Sequence, residues 1–178
     1  MNDITLGFLS SSRFENNCTI RGAVLVTDSN TKPLEFRVTS PIRPTAFQRT
    51  LYGEVLDEHI LVELVAVPLL NSLKEKPKLI IVQESLFLDI NQKQDIPIVR
   101  LFKDSEARFG KNASVQEITC SSGKFETVLI ETSKEKEENL PVIRKQLADI
   151  FAHKNLLEPF ERIRLACEQV HNQKIGEG

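Results

Sequence analysis

His59 and Glu63 stand four residues apart in a stretch with helical periodicity, so both fall on one helix face. An imidazole and a carboxylate placed this way could hold a divalent cation, but a metal centre needs three or four ligands. No other His, Cys or Asp stands at a spacing that completes the set. The pair is therefore expected to be a polar stripe on an apolar helix. His153 and His171 stand near predicted helix C-termini, where a cationic ring gains from the helix dipole. Serines are frequent, yet no G-x-S-x-G elbow presents one as a nucleophile, and Ser121-Ser122-Gly123 reads as a turn. Neither G-x-G-x-x-G nor G-x-x-x-x-G-K-[ST] occurs, so the usual phosphate-cradling loops are missing. Cys18, Cys120 and Cys167 are far apart and form no C-x-x-C, which fits reduced thiols; Cys18 stands beside two Asn with no sequence partner. On these residues no catalytic group, no cofactor and no metal is expected.

Four arginines carry a different chemistry. Arg21, Arg37, Arg43 and Arg49 lie on or just after a predicted hairpin. Residues 1–50 hold six Lys/Arg against four Asp/Glu, in a chain of net charge -2. Arg43 stands between two prolines just before a helix start, where backbone N–H groups favour anions. These four are a candidate anion or partner patch; the plainer reading is surface charge paired with Glu35 and Glu54.

The elements that must position these residues are legible in the pattern. Ile4 to Leu9 reads as a first strand, and Ser10-Ser11-Ser12 through Asn17 as a loop. Gly22 to Val26 is β-rich, and Thr27 to Pro33 has turn chemistry, because Asp, Asn and Ser bond their own backbone. Leu34, Phe36 and Val38 then alternate with Glu35 and Arg37, so the first set is expected to face the core and the second water. Thr45 and Gln48 have capping-box spacing, which predicts a helix from about Ala46, divided near Gly53. A second helical stretch from Val55 to Lys74 is apolar on most sides, and Pro68 is expected to kink it or end it early. Its excess apolar faces predict cover by the C-terminal helices or by a second chain.

Leu79 to Val82 is continuous and β-branched, as in a strand covered on both faces and parallel to a neighbour. Pro97 to Phe102 is a further strand, 104–113 a polar loop, and Val115–Cys120 with Phe125–Glu131 a second hairpin. Lys134 to Glu138 reads as a solvated linker, followed by two helices, the second starting near Pro159. The fold class is thus α/β or α+β: a mixed sheet with an N-terminal hairpin, a long central helix, a second hairpin and a helical pair. Residues 1–139 are expected to form the core domain and 140–178 an extension packed on it or on a partner. With 178 residues and 40% hydrophobic composition, the chain can bury a core without disulfides or metal. The near-neutral charge gives no broad footprint for nucleic acid or membrane, although a local patch remains compatible with it. The longest apolar run, Ile60 to Leu70, contains Glu63 and Pro68 and is too short to span a bilayer. The start, Met1-Asn2-Asp3, has no basic signal-peptide region, so a cytoplasmic location is expected.

Three leading strands, a helix and then a buried strand resemble the layout of the ribonuclease H-like superfamily over roughly the first hundred residues. Nucleases of that superfamily hold two metals with carboxylates, one of them central in the first strand. Ile4-Thr5-Leu6-Gly7-Phe8-Leu9 has no acid, whereas Glu84 follows the strand after the helix, where the family often has one. A second resemblance is to uncharacterised bacterial proteins with a similar block. Here it reads Gly22-Ala23-Val24-Leu25-Val26, Pro33-Leu34-Glu35-Phe36, Thr39, Pro41, Arg43-Pro44-Thr45, Gln48 and Leu51-Tyr52-Gly53. It implies no activity. The leading expectation is a non-enzymatic interaction subunit of a larger cytoplasmic assembly, with a protein partner or self-association. The alternative is a ribonuclease H-like nucleic-acid-binding module, or a nuclease with an incomplete or unrecognised site. A third is a small-molecule enzyme with an unfamiliar pocket.

Overall fold

The computed structural model describes residues 3–103 and 115–174. Seven strands form one mixed sheet in the order β3-β2-β1-β4-β5-β7-β6. They are β1 (Leu6–Phe14), β2 (Thr19–Thr27), β3 (Pro33–Val38), β4 (Leu79–Val82), β5 (Ile98–Phe102), β6 (Val115–Ile118) and β7 (Val128–Thr132). The first three make an antiparallel meander; β4 then lies parallel to β1, and β5 parallel to β4. β7 and β6 finish the sheet as an antiparallel pair. The run Leu79-Ile80-Ile81-Val82 is buried throughout because helices cover both faces of the sheet at this strand.

Alternation along each strand sorts residues between two cores. On one face Leu6, Phe8, Leu25, Leu79 and Ile81 pack with α4 (Leu140–Phe151) and α5 (Glu158–Asn172). On the other, Leu9, Val24, Val26, Ile80 and Val82 pack with the central helix and with a 3₁₀ segment, Ser85–Gln92. The central helix is composite: α2 (Leu56–Glu58), a π-helical stretch His59–Ala66, then α3 (Val67–Ser72). Ahead of it stand α1 (Ala46–Tyr52), with the predicted Thr45–Gln48 capping box, and a 3₁₀ turn at Gly53.

Several expectations change. Ser10, Ser11 and Ser12 belong to β1, because the hairpin ladder pairs them with Ala23, Gly22 and Arg21 and overrides weak local β-propensity. Pro68 does not stop the central helix, which continues to Ser72. The preceding stretch widens to π-type bonding, with Val67 N–H donating to Val62 C=O, and Pro68, which has no N–H to donate, falls in the first turn of α3. The C-terminal helices do not cover this helix; they lie on the opposite sheet face. Phe47 and Leu51 of α1 stay 71% and 66% exposed. In β3, Phe36 and Val38 do pack on the α4–α5 side, but Leu34 is 45% exposed near the strand start. Glu35 is not in water. Its neighbours on β2 point to the central-helix core, and its carboxylate accepts the backbone N–H groups of Lys74 and Glu75 at 2.9 and 2.8 Å. The linker at 134–139 is a 3₁₀ turn, tied to the Ser85–Gln92 segment by Gln92 donating to Glu135 at 3.2 Å. The 104–113 loop lies outside the described residues.

Candidate functional site

In an open sheet with parallel strands, the carboxyl ends of those strands form the natural binding edge. Here β1 outruns β4: Leu9 is the last β1 residue paired with it, opposite Val82. The next residues of β1 therefore stand beside Gln83 and Glu84. Glu84 turns its carboxylate back onto β1 and accepts the Ser11 N–H at 3.0 Å. The Ser11 hydroxyl lies 2.8 Å from both of its oxygens. Arg13, two residues on and on the same face, pairs with Asp57 of α2 at 3.4 Å. A cleft of about 450 Å³ opens here between Ser10–Ser12 with Glu84 and, on α5, Phe160 and Arg164.

Burial pushes the Glu84 carboxyl above its usual range, with Asp57 adding to the rise; the Ser11 hydrogen bonds and Arg13 oppose it. A folded-state rise means that the native protein binds the proton more tightly than the unfolded chain. Glu84 therefore favours folding most below the unfolded carboxylate range, and that contribution is lost as pH rises through its folded value. Glu84→Gln removes the ionisation and keeps an acceptor for Ser11. It is expected to raise the melting temperature at pH about 8, with the gain vanishing below pH about 4. A variant that melts lower than the parent at both pH values would contradict this sign.

The other predicted residues are dispersed. His59 stacks on Tyr52 with ring centroids 4.5 Å apart, and Glu63 pairs with Lys93 at 2.8 Å. Among the described residues no group of three or more His, Cys, Asp or Glu could hold a metal ion. The four arginines do not form one patch. Arg21 is 1% exposed beneath α5, Arg37 pairs with Glu35 at 2.6 Å, and Arg43 and Arg49 are exposed. Cys18 is exposed in the β1–β2 turn. Burial pushes the Cys167 thiol up, while the Ser122 hydroxyl, followed by backbone N–H groups of the Ser122–Phe125 turn, brings Cys120 down to about 7.

Two groupings escape sequence reasoning. Arg21 Nε donates to His171 Nδ1 at 3.0 Å, and His171 Nε2 meets Glu15 at 2.7 Å, which joins the end of α5 to β2 and the β1–β2 turn. Arg100 of β5 pairs with Glu131 of β7 at 2.9 Å inside the protein and donates from Nε to the Gln83 carbonyl at 2.9 Å. A charged residue within an apolar strand is the signal that could have found the second. Nothing local marks the first.

No protein-family model matches the chain, so no family match supports the resemblance carried by the block from Gly22 to Gly53. No curated protein matches it in sequence. Solved structures do match in shape. Endonuclease V from Streptomyces avermitilis is 9% identical with a TM-score of 0.45, over 72% of this chain and 65% of that one. Ciona intestinalis Endonuclease V, in complex with a DNA 24mer containing an inosine followed by a ribo-adenosine, is 9% identical with a TM-score of 0.43, over 78% and 76%. Marinitoga piezophila Argonaute, in complex with guide RNA and target DNA, is 8% identical with a TM-score of 0.36, over 79% of this chain and 25% of that one. These likenesses concern the fold and assign no activity. The expected protein partner or self-association has no counterpart among them: what two of these structures hold is nucleic acid. No helix among the described residues is long and apolar enough to cross a membrane. The three-strand meander, the helix and then the buried strand β4 follow one another in the order expected from the sequence.

Proposed function

We propose that this chain is a ribonuclease H-like nucleic-acid-binding module whose hydrolytic centre is incomplete. The observation that carries the reading is the pairing of Glu84 with Ser11. Glu84 stands at the carboxyl edge beside β1, where such a nuclease would place an acid. The β1 residue facing it is a serine, and both serine donors are spent on the carboxylate. Two-metal hydrolysis needs several carboxylates that hold two cations roughly 4 Å apart. A carboxylate that receives two hydrogen bonds from one serine, with burial already disfavouring its charge, is a poor ligand for either cation. The strand order supports the scaffold; the serine supports the lost chemistry.

The test incubates the purified chain with single- and double-stranded DNA and RNA in Mg²⁺ or Mn²⁺. The expected result is retention without cleavage, weakening steeply as salt rises. Cleavage that disappears in Glu84→Ala would overturn the incomplete centre. Failure to retain any of the four nucleic acids at low salt would overturn the binding module.

A further inference from the structure

The turn from β1 to β2 is built in an unusual way. Glu15, Asn16 and Asn17 have φ values of 49, 52 and 68° in succession. The left-handed region suits Asn, whose short amide bonds locally, but Glu gains nothing from it. The turn nevertheless carries the Glu15 carboxylate to the far end of α5, where it meets His171 Nε2 at 2.7 Å. The tautomer of His171 follows from its other side. Arg21 Nε donates to Nδ1, so Nδ1 is an acceptor and Nε2 carries the hydrogen. Phe14 fixes the ring plane by stacking at 3.9 Å and 9°. Behind the ring, Arg21 is buried; its Nη1 donates to the Thr39 carbonyl, and its Nη2 has no hydrogen-bond partner among the described residues. A cleft of about 410 Å³ opens in front, lined by Glu15, Arg43, His171, Asn172 and Lys174.

We propose that this cleft is a phosphodiester site for a nucleic-acid strand, occupied in this structure by Glu15 as an internal stand-in. The donors are the His171 Nε2–H, the Arg43 guanidinium and the Lys174 ammonium, with Arg21 as a fixed positive charge behind the imidazole. The proposal rests on the nucleic-acid reading above and adds where a backbone phosphate docks. The surroundings hold Glu15 as an anion: the Thr19 hydroxyl, then His171, and more weakly Arg43 lower its carboxyl below the usual range. A phosphodiester is likewise an anion with oxygen acceptors, so it can replace the carboxylate without rebuilding the donor set. Glu15 is exposed, and so is the turn that carries it. It can swing out while β1 and β2 stay paired.

The experiment measures binding of a fluorescent single-stranded oligonucleotide by anisotropy, from about 50 to about 300 mM salt. Proteins compared are the full chain, Glu15→Gln, Arg43→Ala/Lys174→Ala, the triple combination, and Arg37→Ala as a control paired elsewhere with Glu35. All changed side chains except Arg37 are exposed, and a thermal melt of each variant checks that the fold survives. The double variant is expected to flatten the salt slope by about 1.4, or 0.7 per lost phosphate contact. Glu15→Gln is expected to bind about two- to fivefold tighter, the equivalent of one exposed ion pair no longer competing. The triple combination is expected to show no gain from Glu15→Gln, because the cations for which Glu15 competes are gone. If the parent binds and every variant matches it, the cleft is not the contact and the nucleic-acid reading stands alone. If neither the parent nor Glu15→Gln binds, both fall.

Discussion

Gly22→Ala is expected to destabilise the protein by about 3 kcal/mol, the upper part of the range for overpacking a core. A Cβ on Gly22 would lie 2.0 Å from Val65 Cγ1 and 3.0 Å from Val65 Cβ. Neither side can yield easily. β2 is paired on both edges, to β1 through Ser11 and to the end of β3, where Thr39 N–H donates to the Gly22 carbonyl at 2.8 Å. The Gly22 N–H is also held, donating to the Thr39 hydroxyl at 3.0 Å. Val65 is fully buried on the π-helical stretch and is β-branched, so its rotamer is stiff. Glycine is therefore needed here for close approach of strand and helix, not for a turn. Val65→Ala alone leaves a cavity and should cost roughly 1–3 kcal/mol. The double variant should cost clearly less than the sum, with a coupling of about 1–3 kcal/mol read from urea melts. Strict additivity would mean that the helix, rather than Val65 alone, moves to admit the methyl.

Gly22 also shows how far the sequence speaks. As part of a β-rich run it marks a strand, and the capping box at Thr45, the break at Gly53 and the buried strand at Leu79 are equally visible. In each case a local interaction makes the signal: a side-chain bond three residues away, a backbone angle, or unbroken apolar burial. Where partners are distant, the signal fails. Ser10-Ser11-Ser12 has the composition of a loop and becomes strand because β2 pairs with it. Period-two alternation in β3 correctly separates two faces but not what covers them. Glu35 points to the central helix instead of water, while Arg37 beside it keeps an exposed side chain, since this sheet has helices on both sides. The candidate site suffers in the same way. Glu84 is recognisable by position, yet its partner Ser11 is 73 residues away, and His171 stands 150 residues from Arg21. No periodicity encodes such pairs; topology does. A π-helical turn escapes for a simpler reason, because apolar spacing is read against 3.6 residues per turn.

Glu131→Ala is expected to cost about 3–5 kcal/mol, a large share of the stability of any domain of this size. The Glu131 side chain is fully buried and that of Arg100 is 8% exposed, with Nη1 to Oε1 at 2.9 Å. Truncation of the acid removes the carboxylate that meets the Arg100 guanidinium inside the protein. The melting temperature should fall by roughly 10 °C, at about 2–4 °C per kcal/mol for a chain of this length. Replacing both residues with apolar ones, Arg100→Met/Glu131→Leu, should recover most of the loss, because a buried pair is costly to break and cheap to substitute whole. The two variants differ at the candidate site, however. Arg100 Nε holds the Gln83 carbonyl at 2.9 Å, directly before Glu84, and its guanidinium lies 4.6 Å over the Phe102 ring. The apolar pair restores packing but not that hydrogen bond. Stability should therefore return while the backbone at 83–84 loosens, read as faster amide exchange at Ser11 and Glu84 than in the parent protein. Parent-like exchange in the apolar double variant would show that Ser11 alone fixes Glu84, and that the ion pair serves only the β5–β7 core.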